Sequence, residues 1–216
     1  MPYHQQALSI EELGLYANSS SQWLTNRETN PYLDELWWQL KTFVASLIQE
    51  EFKWGPLPRG AKYQVLDDLI ANTFPPSLPL DRPRWLLDYA EQILNAIPEL
   101  QRIANVPGTC EIGRALLKFT NDIVAIGKNR VRVIDIFPRD LTTMNWWSPV
   151  IHELKFRMML TYVDEPDYYL FSPAPGGQLK KERYQSIQIT DRQLYIAAQF
   201  WHAGIVNTIT TQERKD

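Results

Sequence analysis

Cysteine is almost missing from this chain: Cys110 is the only one in 216 residues. A lone thiol closes no intramolecular disulfide and forms no CxxC pair, which points to a reducing compartment, read here as the cytoplasm. Histidine is nearly as scarce, with His4, His152 and His202 too scattered to complete a zinc site. The opening MPYHQQALSIEEL has neither a basic n-region nor an apolar h-region, so no secretory signal is expected. The Asn18-Ser19-Ser20 sequon then carries no meaning. Long apolar runs are absent too. Gln193 to Gln212 carries no formal charge, but Gln199, His202 and Asn207 make it too polar for a membrane span.

Signature motifs are equally short. There is no G-x-S-x-G elbow. His152-Glu153 opens like a zincin helix, but Phe156 stands where the second histidine belongs. PGGQLKK, from Pro175 to Lys181, lacks the spacing of a phosphate loop. The acidic turn of Asp164, Glu165 and Asp167 lacks the glycine and the closing glutamate of a calcium loop. No metal, cofactor, small-molecule ligand or catalytic residue is therefore assigned.

What the chain does hold is bulk and stiffness. It has 8 tryptophans, and 15 prolines against 9 glycines. Its net charge of −3 is divided unevenly: residues 1–109 carry 8 Lys/Arg against 13 Asp/Glu, and the remainder is net positive.

The first half patterns as helix. Ser9 and Glu12 form a capping box, and Asn30-Pro31 starts a second helix. That helix carries Leu33, Leu36, Trp37, Leu40, Phe43, Val44, Leu47 and Ile48 at spacings of three and four. Further helices are expected over about 61–72 and 82–97, a short one over 99–104, and a long one over 109–127 with Ile112, Leu116, Phe119, Ile123 and Ile126 on one stripe. After Gly127 the period shifts toward two. Strands are expected over 130–137, 150–163, 168–172 and 184–190, and a closing helix over 191–206. The fold class expected is α+β: an all-helical domain, 1–127, followed by a domain, 128–216, with a small antiparallel sheet of about four strands and a C-terminal helix.

Two surfaces stand out for function. Lys128, Arg130, Arg132, Lys155, Arg157, Lys180, Lys181 and Arg183 would line one positive sheet face if their strands were neighbours, suiting RNA or single-stranded DNA. Trp146 and Trp147, in a connector, would pack between the halves or meet another protein. The leading expectation is a non-enzymatic accessory or assembly subunit that binds another protein or a larger complex. The nucleic-acid subunit is the alternative. A third is an enzyme whose site gathers scattered residues such as Asp135, Asp140 and His152.

Overall fold

The fold was read from a computed structural model that describes residues 7–20, 35–73, 82–99, 101–137 and 148–212. In chain order the elements are β1 (Leu8–Ser9), α1 (Ile10–Asn18), α2 (Glu35–Trp54), α3 (Arg59–Thr73), α4 (Arg82–Asn95), β2 (Gln101–Ile112), β3 (Ala115–Ile126) and β4 (Val131–Ile136). They continue as α5 (Pro149–Met159), β5 (Asp167–Pro173), β6 (Leu179–Arg183) and α6 (Asp191–Gln212).

The protein is α+β, but the arrangement differs from the one expected. Its sheet has six strands and is mixed, not antiparallel: β2–β3, β3–β4 and β5–β6 run antiparallel, while β1–β3 and β4–β5 run parallel. Helices are interspersed with the strands and do not fill an N-terminal half. Of the residues read as helix over 99–104 and 109–127, those at 101–104 and 109–112 fall in β2 and those at 115–126 in β3, and the two strands pair from Gln101↔Ile126 to Ile112↔Ala115. The physical reason is burial on both faces. Asn121 to Ala125 are buried without interruption, and such a strand reads as a continuous apolar run whose residues also match a helical stripe. The decisive local signal was Gly113-Arg114, a two-residue turn with Gly113 at φ 62°, a conformation that glycine adopts without steric penalty.

The reverse error lies at 150–163, where α5 stands in place of the expected strand. Alternation there was coincidence, because the helix is buried around most of its circumference: Ile151, His152, Glu153, Leu154, Lys155, Met158 and Met159 are all covered. Ser148 at the N-cap with Pro149 at the first helical position marks its start. The expected strand over 184–190 is absent, and β6 ends at Arg183. The capping box of Ser9 and Glu12 is present at the start of α1, and the closing helix runs to Gln212.

The sheet is covered on both sides. Val124, Val133, Phe119 and Leu170 pack beneath α1, α5 and α6, with Leu13, Leu154, Met158, Leu194 and Ile205. Their strand neighbours Ile123, Ala125, Ile134 and Ile136 point the other way, to Phe43, Leu47, Leu66, Leu86 and Ile93 of α2, α3 and α4. One edge of β3 is taken by β2, with a break opposite Asp122, where Asn105 stands at φ 52°. Its other edge is shared: β1 pairs at Leu117 and Lys118, and β4 pairs from Ile123 onward. Among the described residues, 119–122 have no strand partner on that side.

Candidate active site at the interrupted edge of the sheet

Charged side chains gather where β1 and β4 leave β3 unpaired among the described residues. Continuing the β3–β4 register by one residue beyond Ile123↔Ile134 sets Asp122 opposite Asp135. Like charges directly opposite on a sheet repel, and both carboxylates are buried. Two lysines offset them. Lys155, from α5, donates to Asp135 Oδ2 at 2.5 Å and to the Thr120 carbonyl, within the unpaired stretch, at 2.8 Å. Lys41, from α2, lies 2.7 Å from Asp122 Oδ1. The other Asp122 oxygen, Oδ2, accepts from the Ile136 backbone N–H at 2.7 Å, so a side chain replaces the ladder where the strands part.

The Asp135 carboxylate is used on one side only. Oδ2 takes Lys155 and also the hydroxyl of Tyr168, whereas Oδ1 is buried and meets no hydrogen-bond donor among the described residues. His152 Nδ1 lies 3.4 Å from the same Tyr168 hydroxyl, and the His152 ring packs near those of Phe137 and Tyr184. Lys41 is the most accessible charge of these two ion pairs, at 19% side-chain exposure against 3–6% for Asp122, Asp135 and Lys155.

These surroundings separate the proton affinities. Burial raises Asp122 to about 6, against the opposing pull of Lys41. Burial also acts on Asp135, but there the ammoniums of Lys155 and Lys41 prevail and hold it below the usual carboxylate range. Lys155 keeps its proton against burial because Asp135, Asp122 and Glu11, from the first turn of α1, all favour its charge. Burial depresses His152 to about 3, so it is neutral at ordinary pH. The result is two carboxylates with divergent proton affinities beside a fixed cation, the pattern that divides acid and base roles between like groups.

The positions singled out from sequence are distributed differently. Asp135 and His152 do come together, bridged by Tyr168; Asp140, Trp146 and Trp147 lie outside the described residues. Among the basic residues, Lys155 belongs to the buried cluster, and it and Arg157 sit on a helix instead of a strand. Arg157 pairs with Glu153 at 2.6 Å and with Asp191 at 3.5 Å. Arg130 and Arg132 share Glu99, Arg132 also lies over the Tyr169 ring, and Arg183 pairs with Asp167 at 2.7 Å. Lys180 pairs with Glu182, while Lys128 and Lys181 are exposed on the β3–β4 turn and on β6. Much of this positive charge is thus locally neutralised. Sequence reading missed Asp122 and Lys41 and placed Lys155 on a strand where a helix stands. One signal was available: Asp122 and Asp135 are single acids inside apolar strand runs, where an ion needs a partner.

Among the described residues no three His, Cys, Asp or Glu side chains form a metal-holding group, and no helix is long and apolar enough to cross a membrane. No protein-family description and no curated protein matches the chain. One solved structure that it resembles is described as "Crystal structure of SSO0001", with 12% identity over 75% of this chain and 73% of that one, at a TM-score of 0.36. A likeness of that extent carries no functional argument.

Proposed function

We propose that the protein is an enzyme acting on phosphate esters, with the Asp122–Asp135 pair and Lys155 as its reaction centre. The observation that carries this reading is Asp135 Oδ1, a buried carboxylate oxygen facing no donor beside a second buried carboxylate. A buried ionic cluster is a poor stabiliser of a fold, because desolvation opposes the attraction and apolar side chains of similar volume often do as well or better. Its retention in the core favours a chemical role.

Asp122 is already paired with Lys41 and Asp135 with Lys155, and no described group of three His, Cys, Asp or Glu side chains could hold a metal, so a resident divalent ion does not fit this pair and no step is routed through one. The chemistry belongs to this chain's own residues. Asp122, raised to about 6 by burial, can take and return a proton near neutral pH. Lys155 and Lys41 neutralise the carboxylates in the resting protein and can turn to the oxygens of an incoming anionic ester. His152, held neutral, adds no charge that would compete with the lysines. The lone, half-buried Cys110 is consistent with a cytoplasmic setting for this work.

The test is hydrolysis of bis(p-nitrophenyl) phosphate, plasmid DNA and RNA, each with Mg²⁺, with Mn²⁺ or with chelator. Cleavage of at least one diester that persists in chelator is expected. No cleavage of any of them rules the reading out.

A second reading, an accessory subunit that binds another protein, is favoured by the aromatic side chains left in solvent. Phe52 is 82% exposed, Trp54 76% and Phe200 73%, and large apolar groups of this kind are enriched at contact surfaces. Light scattering of the purified protein and of its complexes reports on it, and a strict monomer without partners counts against it.

A further inference from the structure

We infer that the protein pairs with a second copy of itself through β2, the two strands meeting antiparallel about a two-fold axis at Ile103 and joining their sheets. This interface is separate from the chemistry proposed above and stands without it.

β2 lies at one end of the sheet, with β3 on one side and no strand on the other among the described residues. The direction of its main-chain groups follows from the β3–β4 ladder. Just past the last pair of that ladder, Gly127 donates to the Arg130 carbonyl at 2.9 Å. Alternation from there turns Ala125 and Ile123 toward β4, and Ile126 and Val124 toward β2, where they meet Gln101 and Ile103. Arg102 and Ala104 therefore aim their N–H and C=O groups away from the sheet. Unpaired ladder groups of this kind are a template for another strand.

Further along, the edge is closed. The Tyr162 hydroxyl donates to the Thr109 carbonyl and accepts from the Thr109 N–H at 3.2 Å. Pro107, two residues earlier, has no N–H to offer, and Asn105 at φ 52° ends the straight run. A long peptide strand laid on β2 would run on into Pro107 and Tyr162. Two copies need only the open stretch. Centred on Ile103, an antiparallel pair sets Arg102 of each copy opposite Ala104 of the other, and both pairs exchange N–H···O bonds.

Charge and exposed surface agree with that occupant. β6, at the far end of the sheet, reads LKKER, and such charges keep an edge strand from pairing. β2 carries no charge from Ile103 to Cys110, so no like charges face each other at the axis. Arg102 is drawn aside by the Glu99 carbonyl, 2.8 Å from its Nε, and by Glu51. Ile103 is 45% exposed and Ile126, opposite Gln101, is 36% exposed. On pairing, the two Ile103 side chains stand directly opposite and cover each other.

Sedimentation equilibrium of the full chain tests this on wild type, Ile103→Lys, Ile103→Glu and an equimolar mixture of the two variants. Wild type is expected in monomer–dimer equilibrium. Each variant alone should raise the dissociation constant at least about thirtyfold, since like charges then meet and two apolar side chains leave the contact. The mixture brings opposite charges together and should dimerise again. Hydrogen exchange on wild type needs no variant: the Arg102 and Ala104 amides should exchange more slowly as protein concentration rises. A monomeric wild type overturns the inference, whatever strand of another protein its edge accepts. So does a dimer that survives in both variants, a mixture no tighter than its parts, or amide exchange indifferent to concentration.

Discussion

Replacing Lys155 by methionine, Asp135 by leucine, and then both together asks whether the buried cluster serves the fold or the chemistry. Lys155→Met leaves Asp135 in a buried site with the Tyr168 hydroxyl and the more distant Lys41 for compensation. Breaking a buried pair from one side is expected to cost about 3–5 kcal/mol. Asp135→Leu strands Lys155 between Asp122 and the Thr120 carbonyl, at a similar cost, partly relieved because the cross-strand repulsion disappears. If the two effects added, the double variant would lose about 6–10 kcal/mol, comparable with the whole stability of an ordinary domain at about 5–15 kcal/mol. An apolar pair of similar volume should instead restore most of it. The double variant is expected within about 3 kcal/mol of wild type, the residue being the orphaned Tyr168 hydroxyl and Thr120 carbonyl. Urea denaturation followed by circular dichroism closes the double-mutant cycle, and the coupling between the two sites should be at least about 3 kcal/mol. A double variant as unstable as the sum of its parts would make the cluster a structural element and refute the reasoning.

Other outcomes follow from the same geometry. His152 is depressed to about 3 and Asp122 raised to about 6, so between about pH 4 and 6 their linkages oppose each other. The unfolded chain protonates His152 first, which lowers stability as pH falls; the folded chain protonates Asp122 first, which raises it. Asp122→Asn should therefore lose stability on acidification more steeply than wild type, by up to about 1.4 kcal/mol per pH unit, and His152→Gln less steeply, both read from urea midpoints across that window. Glu153, fully buried, accepts from Arg157 Nε, the Tyr184 and Ser186 hydroxyls and the Ile187 N–H, tying residues 184–187 to α5. Glu153→Ala should cost about 3–5 kcal/mol and speed proteolysis of that loop; a loss under 1 kcal/mol (roughly one ordinary hydrogen bond) would show the loop to be held by its apolar contacts. At Gly108 an added Cβ would sit 2.3 Å from the Phe119 ring, so Gly108→Ala should displace that ring and destabilise by about 1–3 kcal/mol in thermal melts.

Helices with one buried face were legible from their residues. Leu40, Phe43, Val44, Leu47 and Ile48 on α2, and Leu86, Tyr89, Ile93 and Ile97 in and after α4, are all buried as their spacing predicts. Period failed where an element is covered on two sides. β3, between layers of helices, and α5, buried around most of its surface, each lost the polar face that would have told strand from helix. The reaction centre was hidden for another reason. Asp135 and His152 were visible as chemically able groups, but Asp122 joins them only through the register of β3 on β4, and Lys155 only once its segment is a helix. Neither relation is local in the chain, so spacing could not reveal it.

The central claim, that Asp135 and its neighbours form a reaction centre for phosphate esters, is tested most directly by the rate of bis(p-nitrophenyl) phosphate hydrolysis for wild type and Asp135→Asn at equal folded concentration. The expected result is turnover in the wild type that falls at least about a hundredfold in Asp135→Asn, as removal of a group acting in the transition state requires. Equal rates in the two proteins would contradict it.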